Sequence, residues 1–181
     1  MKIFLSGGVR NGKSDYAQQL ALALAGTGPR YYMATLIPHD EEDQTRIRSH
    51  LQRRDGMGFE TLDCGTHLLR CFRQADPNGT FLLDSLTALM TNELFSPENN
   101  YAPDEAAAAR CVEELECFLN SAANAVIVSD NVHCECSRYS PETETFLRWL
   151  GKAGCVSARL CDTVAEFSAG IPILYKGRLP L

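Results

Sequence analysis

No stretch of this 181-residue chain approaches the ~20 consecutive apolar residues that span a bilayer, so the sequence predicts no membrane span. A surplus of positive charge is also missing. Seventeen Lys and Arg stand against 23 Asp and Glu, for a net charge of −6. That excludes general affinity for nucleic acid, although local basic patches can still bind phosphate groups. The chain lacks internal repeats, low-complexity tracts and an evident linker. Its 181 residues suit one domain, 1–181, with a substantial core. Little chain separates Met1 from the glycine-rich segment at 7–14, which leaves no room for a cleavable export signal. A cytoplasmic location is therefore expected, and the eight cysteines read as reduced thiols. A second cysteine cluster to complement His133-Cys134-Glu135-Cys136 is absent, so that segment reads as small loop side chains rather than a metal site.

What the sequence does contain is concentrated near its start. Gly7-Gly8-Val9-Arg10-Asn11-Gly12-Lys13-Ser14 fits G-x-x-x-x-G-K-[ST], the phosphate-binding loop. The apolar run Ile3-Phe4-Leu5 precedes it as a strand, and residues 16–25 follow as a helix. Glycines let the backbone aim several N–H groups at phosphate oxygens, and the helix N-terminus adds its positive dipole end. In such a loop Lys13 reaches the β- and γ-phosphates and the Ser14 hydroxyl binds Mg²⁺. A nucleoside triphosphate is the expected ligand.

Further along, strands are expected at 30–35, 59–62, 80–84, 125–129 and 163–167, with an edge strand at 171–175 where Pro172 is tolerated. Helices are expected at 38–54, 66–75 and 103–123, the last being the longest, and from 141 to 151. Alternation of this kind predicts an α/β fold: a mainly parallel sheet of the P-loop NTPase type, with helices on both faces. Ligands of such sheets bind beyond the carboxyl ends of the strands.

Two further groups of residues could carry chemistry. Asp84 ends the apolar run Phe81-Leu82-Leu83 and is the best candidate to hold Mg²⁺ with Ser14. The alternative for Asp84 is an ordinary helix N-cap, and Asp130 is a weaker rival at the end of the next apolar strand. Arg46, His50 and Arg54 stand four apart, so they lie close to one helix face. The row joins a titratable imidazole to two permanent cations and suits a triphosphate. Taken alone, it also fits a solvated basic face. His39 and His67 lack such a setting.

Together, the loop and the Arg46-Ile47-x-x-His50 segment resemble the bifunctional adenosylcobinamide kinase/adenosylcobinamide-phosphate guanylyltransferase family. That family opens with a strand and a Gly-Gly-x-Arg-x-Gly-Lys-Ser loop, seen here from Gly7 to Ser14. Its second strand ends in Ala-Thr, as in Ala34-Thr35. Its helix carries Arg-Ile-x-x-His and a further arginine, here Arg54. A later strand ends in an acid followed by threonine and Thr-Asn, matched by Asp84, Thr87 and Thr91-Asn92. Three motifs depart from the pattern. Asp130-Asn131-Val132-His133 stands where Asn-Glu-Val-Gly is typical. Arg54-Asp55 replaces an Arg-Pro, with Phe59 near a tryptophan position. A late Gly-x-x-Asn-Gln is missing around 151–156.

The resemblance implies phosphorylation of the aminopropanol hydroxyl of adenosylcobinamide, then attachment of GMP to that phosphate in cobalamin biosynthesis. It implies that His50 is guanylylated as a covalent intermediate, that Arg46 and Arg54 offset phosphate charge, and that Lys13, Ser14 and Asp84 serve the kinase step with Mg²⁺. GTP is the expected nucleotide, with ATP an alternative donor for the kinase step. The partner is the corrinoid substrate, and family members form homo-oligomers, trimers among them. Two other readings stay open on the residues themselves. One is a phosphate-loop kinase for another small alcohol, in which His50 merely binds phosphate. The other is a nucleotide-binding regulatory protein without turnover.

Overall fold

The computed structural model describes residues 1–38, 41–132 and 139–181 and, between 41 and 54, the side chains of 41, 44, 45, 48, 51, 52 and 54. Ile3, Phe4 and Leu5 are all buried because their strand, β1 (Lys2–Gly7), is covered on both faces. Ile3 and Leu5 point to one core, Phe4 to the other. The remaining strands are β2 (Arg30–Ala34), β3 (Glu60–Asp63), β4 (Thr80–Asp84), β5 (Asn124–Asp130), β6 (Thr163–Ser168) and β7 (Ile171–Lys176). They form one sheet in the order β3-β2-β4-β5-β1-β6-β7. Every pairing is parallel except β6 with β7. Pro172 lies in β7, an edge strand, where its missing N–H leaves no ladder bond unmade.

Helix α1 (Lys13–Ala25) covers one face, setting Ala17, Leu20 and Ala21 against Ile3, Leu5, Leu82, Val126 and Val128. Helices α3 (Leu86–Leu94), α4 (Glu105–Ser121) and α5 (Pro141–Leu160) cover the other. There Phe81 and Phe118 meet edge to face at 5.4 Å, and Phe72 stacks on Phe118 at 5.5 Å. Helix α2 (Glu41–Arg54) follows β2. Among the described residues, no helix is long and apolar enough to cross a membrane.

Four expectations are corrected. The segment 66–75 is a 3₁₀ turn, Leu68–Arg73, not an α-helix. His67 is left-handed there (φ 52°), and its N–H is donated to Glu93 Oε1 at 2.6 Å. The 86–94 stretch is a helix that the pattern conceals. Leu86, Leu89, Met90, Glu93 and Leu94 are buried at helical spacing, but the stretch is only nine residues long, its buried stripe includes an acid and its outer face, Thr87, Ala88, Thr91 and Asn92, has no charge to mark it. The 103–123 helix starts only at Glu105, because the Asp104 side chain caps Ala106 and Ala107 N–H. At 17 residues it is not the longest. Helix α5 runs through Gly151 and Gly154 for 20 residues.

Candidate active site

The phosphate loop leaves the carboxyl end of β1 and enters α1. At Gly7 an added Cβ would collide with the Phe167 carbonyl, so the loop passes β6 too closely for any side chain. Gly12, at the N-cap of α1, has φ 90°, a conformation that favours glycine. Gly12 has no side chain of its own to cap the helix, which leaves room for an anion at its start. Asn11 pins the loop by donating from Nδ2 to Phe167 O at 2.5 Å and accepting from Lys13 N at 3.2 Å. Lys13 is buried to 5% exposure. Its Nζ donates to Gly8 O at 2.6 Å and to Asp130 Oδ1 at 2.9 Å.

A cavity of about 740 Å³ opens beside this loop. Val9, Arg10, Asn11, Gly12, Lys13 and Ser14 form one wall, and Tyr32, Asp84, Ser85 and Asp130 face them. Thr45 of α2 contributes to the rim, so the helix that carries His50 borders the same space. Ser14, Asp84 and Asp130 supply hydroxyl and carboxylate oxygens, the hard donors that Mg²⁺ takes. Asp84 is not the N-cap of α3; that is Ser85, whose Oγ accepts from Ala88 N–H at 3.2 Å.

One residue of this wall went unnoticed in the sequence. The buried Tyr32 donates its hydroxyl to Asp84 Oδ2 at 3.1 Å. Burial, with the Asp84 charge beside it, pushes the phenol further up than Arg54 pulls it down, so it stays a proton donor. Arg54 lies over the other side of this arrangement. Its guanidinium stands 3.3 Å above the Tyr32 ring centroid. Arg54 is 7% exposed, and its Nη1 has no hydrogen-bond partner among the described residues. It does not line the phosphate cavity. It lines a second recess of about 420 Å³ with Leu51, Asp55 and Phe59. Arg46 and His50 lie on α2, but their side chains fall outside the described ones, so the structure does not measure that row. No signal in the sequence marks Tyr32, because it reads as an ordinary strand aromatic.

The threonines and asparagine of the shared motifs hold the strand ends that carry these groups. Thr35 Oγ1 donates to Ser85 O at 2.9 Å and accepts from Ser85 N at 2.6 Å. Asn92 Nδ2 donates to Thr35 O and Gly65 O, both at 2.8 Å. Thr87 Oγ1 accepts from Asp130 N at 2.7 Å.

Other candidate groups are structural. His67, Glu93 and Glu114 bring ligand atoms within 4.8 Å of one another. The Glu93 carboxylate is already engaged by His67 N–H and by Arg110 Nη2 at 2.7 Å. Cys64, Cys71, Cys111 and Cys161 are free, buried thiols. Burial pushes Cys64, Cys111 and Cys161 up to about 12 and Cys71 to about 11, which makes them poor nucleophiles. The segment with Cys134 and Cys136 lies outside the described residues.

The fold resembles that of a KaiC-like protein of Pyrococcus horikoshii, with a TM-score of 0.53 at 12% identity, covering 98% of this chain and 79% of that one. The chain is 30% identical over 177 residues to the bifunctional adenosylcobalamin biosynthesis protein CobU of Salmonella typhimurium, covering 92% of this chain and 93% of that protein. It is also 30% identical over 181 residues to the bifunctional adenosylcobalamin biosynthesis protein CobP of Pseudomonas aeruginosa, covering 98% of each. The family model for cobinamide kinase / cobinamide phosphate guanyltransferase matches residues 3–174. With a phosphate loop and an acid-lined cavity at the carboxyl end of its sheet, the chain belongs to the cobinamide kinase / cobinamide phosphate guanyltransferase family.

Proposed function

We propose that this protein phosphorylates the aminopropanol hydroxyl of adenosylcobinamide and then transfers GMP from GTP to the product through His50. The observation that carries this reading is the position of α2. The helix bearing His50 borders the cavity of Lys13 through Thr45, so one nucleotide site can serve both steps. In the kinase step the loop amides and Lys13 bind the β- and γ-phosphates and offset charge as the γ-phosphoryl group moves. Ser14 and Asp84 would hold Mg²⁺, which neutralises phosphate charge when bound. In the second step an imidazole nitrogen of His50 attacks the α-phosphorus of GTP. The bond to the bridging oxygen breaks and pyrophosphate leaves. The phosphate of the corrinoid then attacks the same phosphorus, the P–N bond breaks, and His50 is free again. Arg46 would lie near these phosphates. Arg54, held on Tyr32, would fix the end of the helix.

The phosphate loop, the family membership and the placement of α2 support this assignment over a kinase for another alcohol or a regulatory protein. The exposed Ile171, Ile173, Leu174 and Tyr175 on edge strand β7 support self-association as part of the same reading. GTP radiolabelled at the α-phosphate tests the covalent step. The wild-type protein should acquire an acid-labile, base-stable label that disappears in His50→Ala and persists in His67→Ala. A label that survives in His50→Ala defeats the assignment.

A further inference from the structure

The second step has to bring two anions together, and the described lining of the cavity offers the incoming one a single wall. The cations of that lining are Arg10 and Lys13, both in the phosphate loop. The loop amides at the start of α1 add donors on the same side. Across from them stand the acids Asp84 and Asp130. Arg54 is a further cation nearby, but it lines the separate recess together with Asp55. A phosphate monoester carries close to two negative charges at neutral pH. One wall of the cavity therefore repels it and the other holds it.

Reaction geometry selects the same wall. Displacement at phosphorus runs in line, with the entering and leaving atoms on opposite sides. When the His50 nitrogen attacks the α-phosphorus, pyrophosphate departs from the far side, where the loop and Lys13 hold the β- and γ-phosphates. The second displacement breaks the P–N bond, so its nucleophile has to enter opposite His50. That is the side pyrophosphate has just left. The kinase step leads there as well, because it places its phosphoryl group on the acceptor while that group still faces the loop.

We propose that the phosphate loop is also the binding site for the acceptor's phosphate in the second step: once pyrophosphate has departed, the phosphate monoester of the corrinoid takes its place on Arg10, Lys13 and the loop amides. One of its oxygens then bonds to the α-phosphorus. The P–N bond breaks, and its electron pair returns to the imidazole nitrogen. The product carries a new P–O–P bridge between the corrinoid phosphate and GMP. The loop thus anchors the nucleotide in the first displacement and the acceptor in the second.

The inference rests on the guanylyl-transfer reading above, and its test separates the two. Wild-type protein labelled from GTP at the α-phosphate is freed of pyrophosphate. It is then mixed, with Mg²⁺ present, with saturating adenosylcobinamide phosphate and rising pyrophosphate. Pyrophosphate returns the label to GTP, whereas the corrinoid takes it into the GMP adduct. Two anions that share the loop cannot bind together. Pyrophosphate should therefore drive capture by the corrinoid toward zero, and more corrinoid should restore it. A plateau, with both products formed in a fixed ratio however much pyrophosphate is added, means that both bind at once and overturns the inference. Arg10→Gly gives a second measurement, because the backbone at Arg10 is left-handed (φ 56°) and accepts glycine without strain. In this variant the concentration for half-maximal capture should rise about 10-fold or more for pyrophosphate and corrinoid phosphate alike. No rise for the corrinoid phosphate overturns the inference. If the wild type takes up no label, the transfer reading itself fails and the inference falls with it.

Discussion

Tyr32 serves two neighbours with two parts of one side chain. Its hydroxyl fixes the Asp84 carboxylate, and its ring carries the Arg54 guanidinium. Tyr32→Phe separates these parts, since the ring remains while the buried hydrogen bond is lost. Such a bond to a charged group contributes about 1.5–3 kcal/mol, so denaturant unfolding of the variant should show a stability lower by roughly that amount. With Asp84 free to turn, half-saturation by Mg²⁺ should shift to higher concentration, while the affinity of the loop for nucleotide alone stays the same. A magnesium titration of nucleotide binding checks this, and an unchanged titration would detach Tyr32 from the metal site. Lys13 is the contrasting residue. Its surroundings bind it tightly in the free protein, with only 5% of its surface exposed, so its role depends on exchange of partners rather than on reach.

At the scale of elements, β7 does more than end the sheet. Lys176 turns back from it and donates to Ala158 O at 3.2 Å, Arg159 O at 3.1 Å and Cys161 O at 2.5 Å. These are carbonyls at the end of α5, where a cation also meets the negative end of the helix dipole. Lys176→Ala should cost about 1–2 kcal/mol of stability. Hydrogen exchange should quicken in the last turn of α5 and leave β1 and α1 unchanged. The phosphate loop, β1, β4 and β5 were legible because their signals are consecutive: an apolar run, then glycines or an acid. Helix α3 was not, because it is only nine residues long, its buried stripe includes the acid Glu93 and its outer face has no charged residue. The 66–75 turn was misread because its helical pattern could not reveal that Glu93, a distant residue, takes the His67 amide. The Asp84–Tyr32–Arg54 chain was also hidden. Tyr32 and Asp84 lie 52 positions apart and meet only because β2 and β4 are neighbours.

The molecule as a whole keeps several thiols in its core, and this sets how it answers alkali. Cys64, Cys111 and Cys161 are pushed up to about 12 in the folded state by burial. Once unfolded, they ionise in the ordinary thiol range near 8.5. Their contribution is therefore fully present below that range and is lost as pH rises through it toward 12. Urea unfolding at a series of pH values should show stability falling steadily above about pH 9, and Cys111→Ala should flatten the slope. A slope that is the same in the variant would assign the alkaline loss to other groups, with the buried Tyr32 phenol next in order.

The place of β5 has one more consequence. It lies between β1, which delivers the phosphate loop, and β4, which delivers Asp84. Adjacent strands stand about 4.8 Å apart, so two ladder spacings separate the loop and the acid by roughly 10 Å across the sheet. Backbone geometry, not any side chain, is the ruler here. Conservative exchanges of Val126, Ile127 or Val128 can alter packing without changing the span of the site. Strand order and register together set that span.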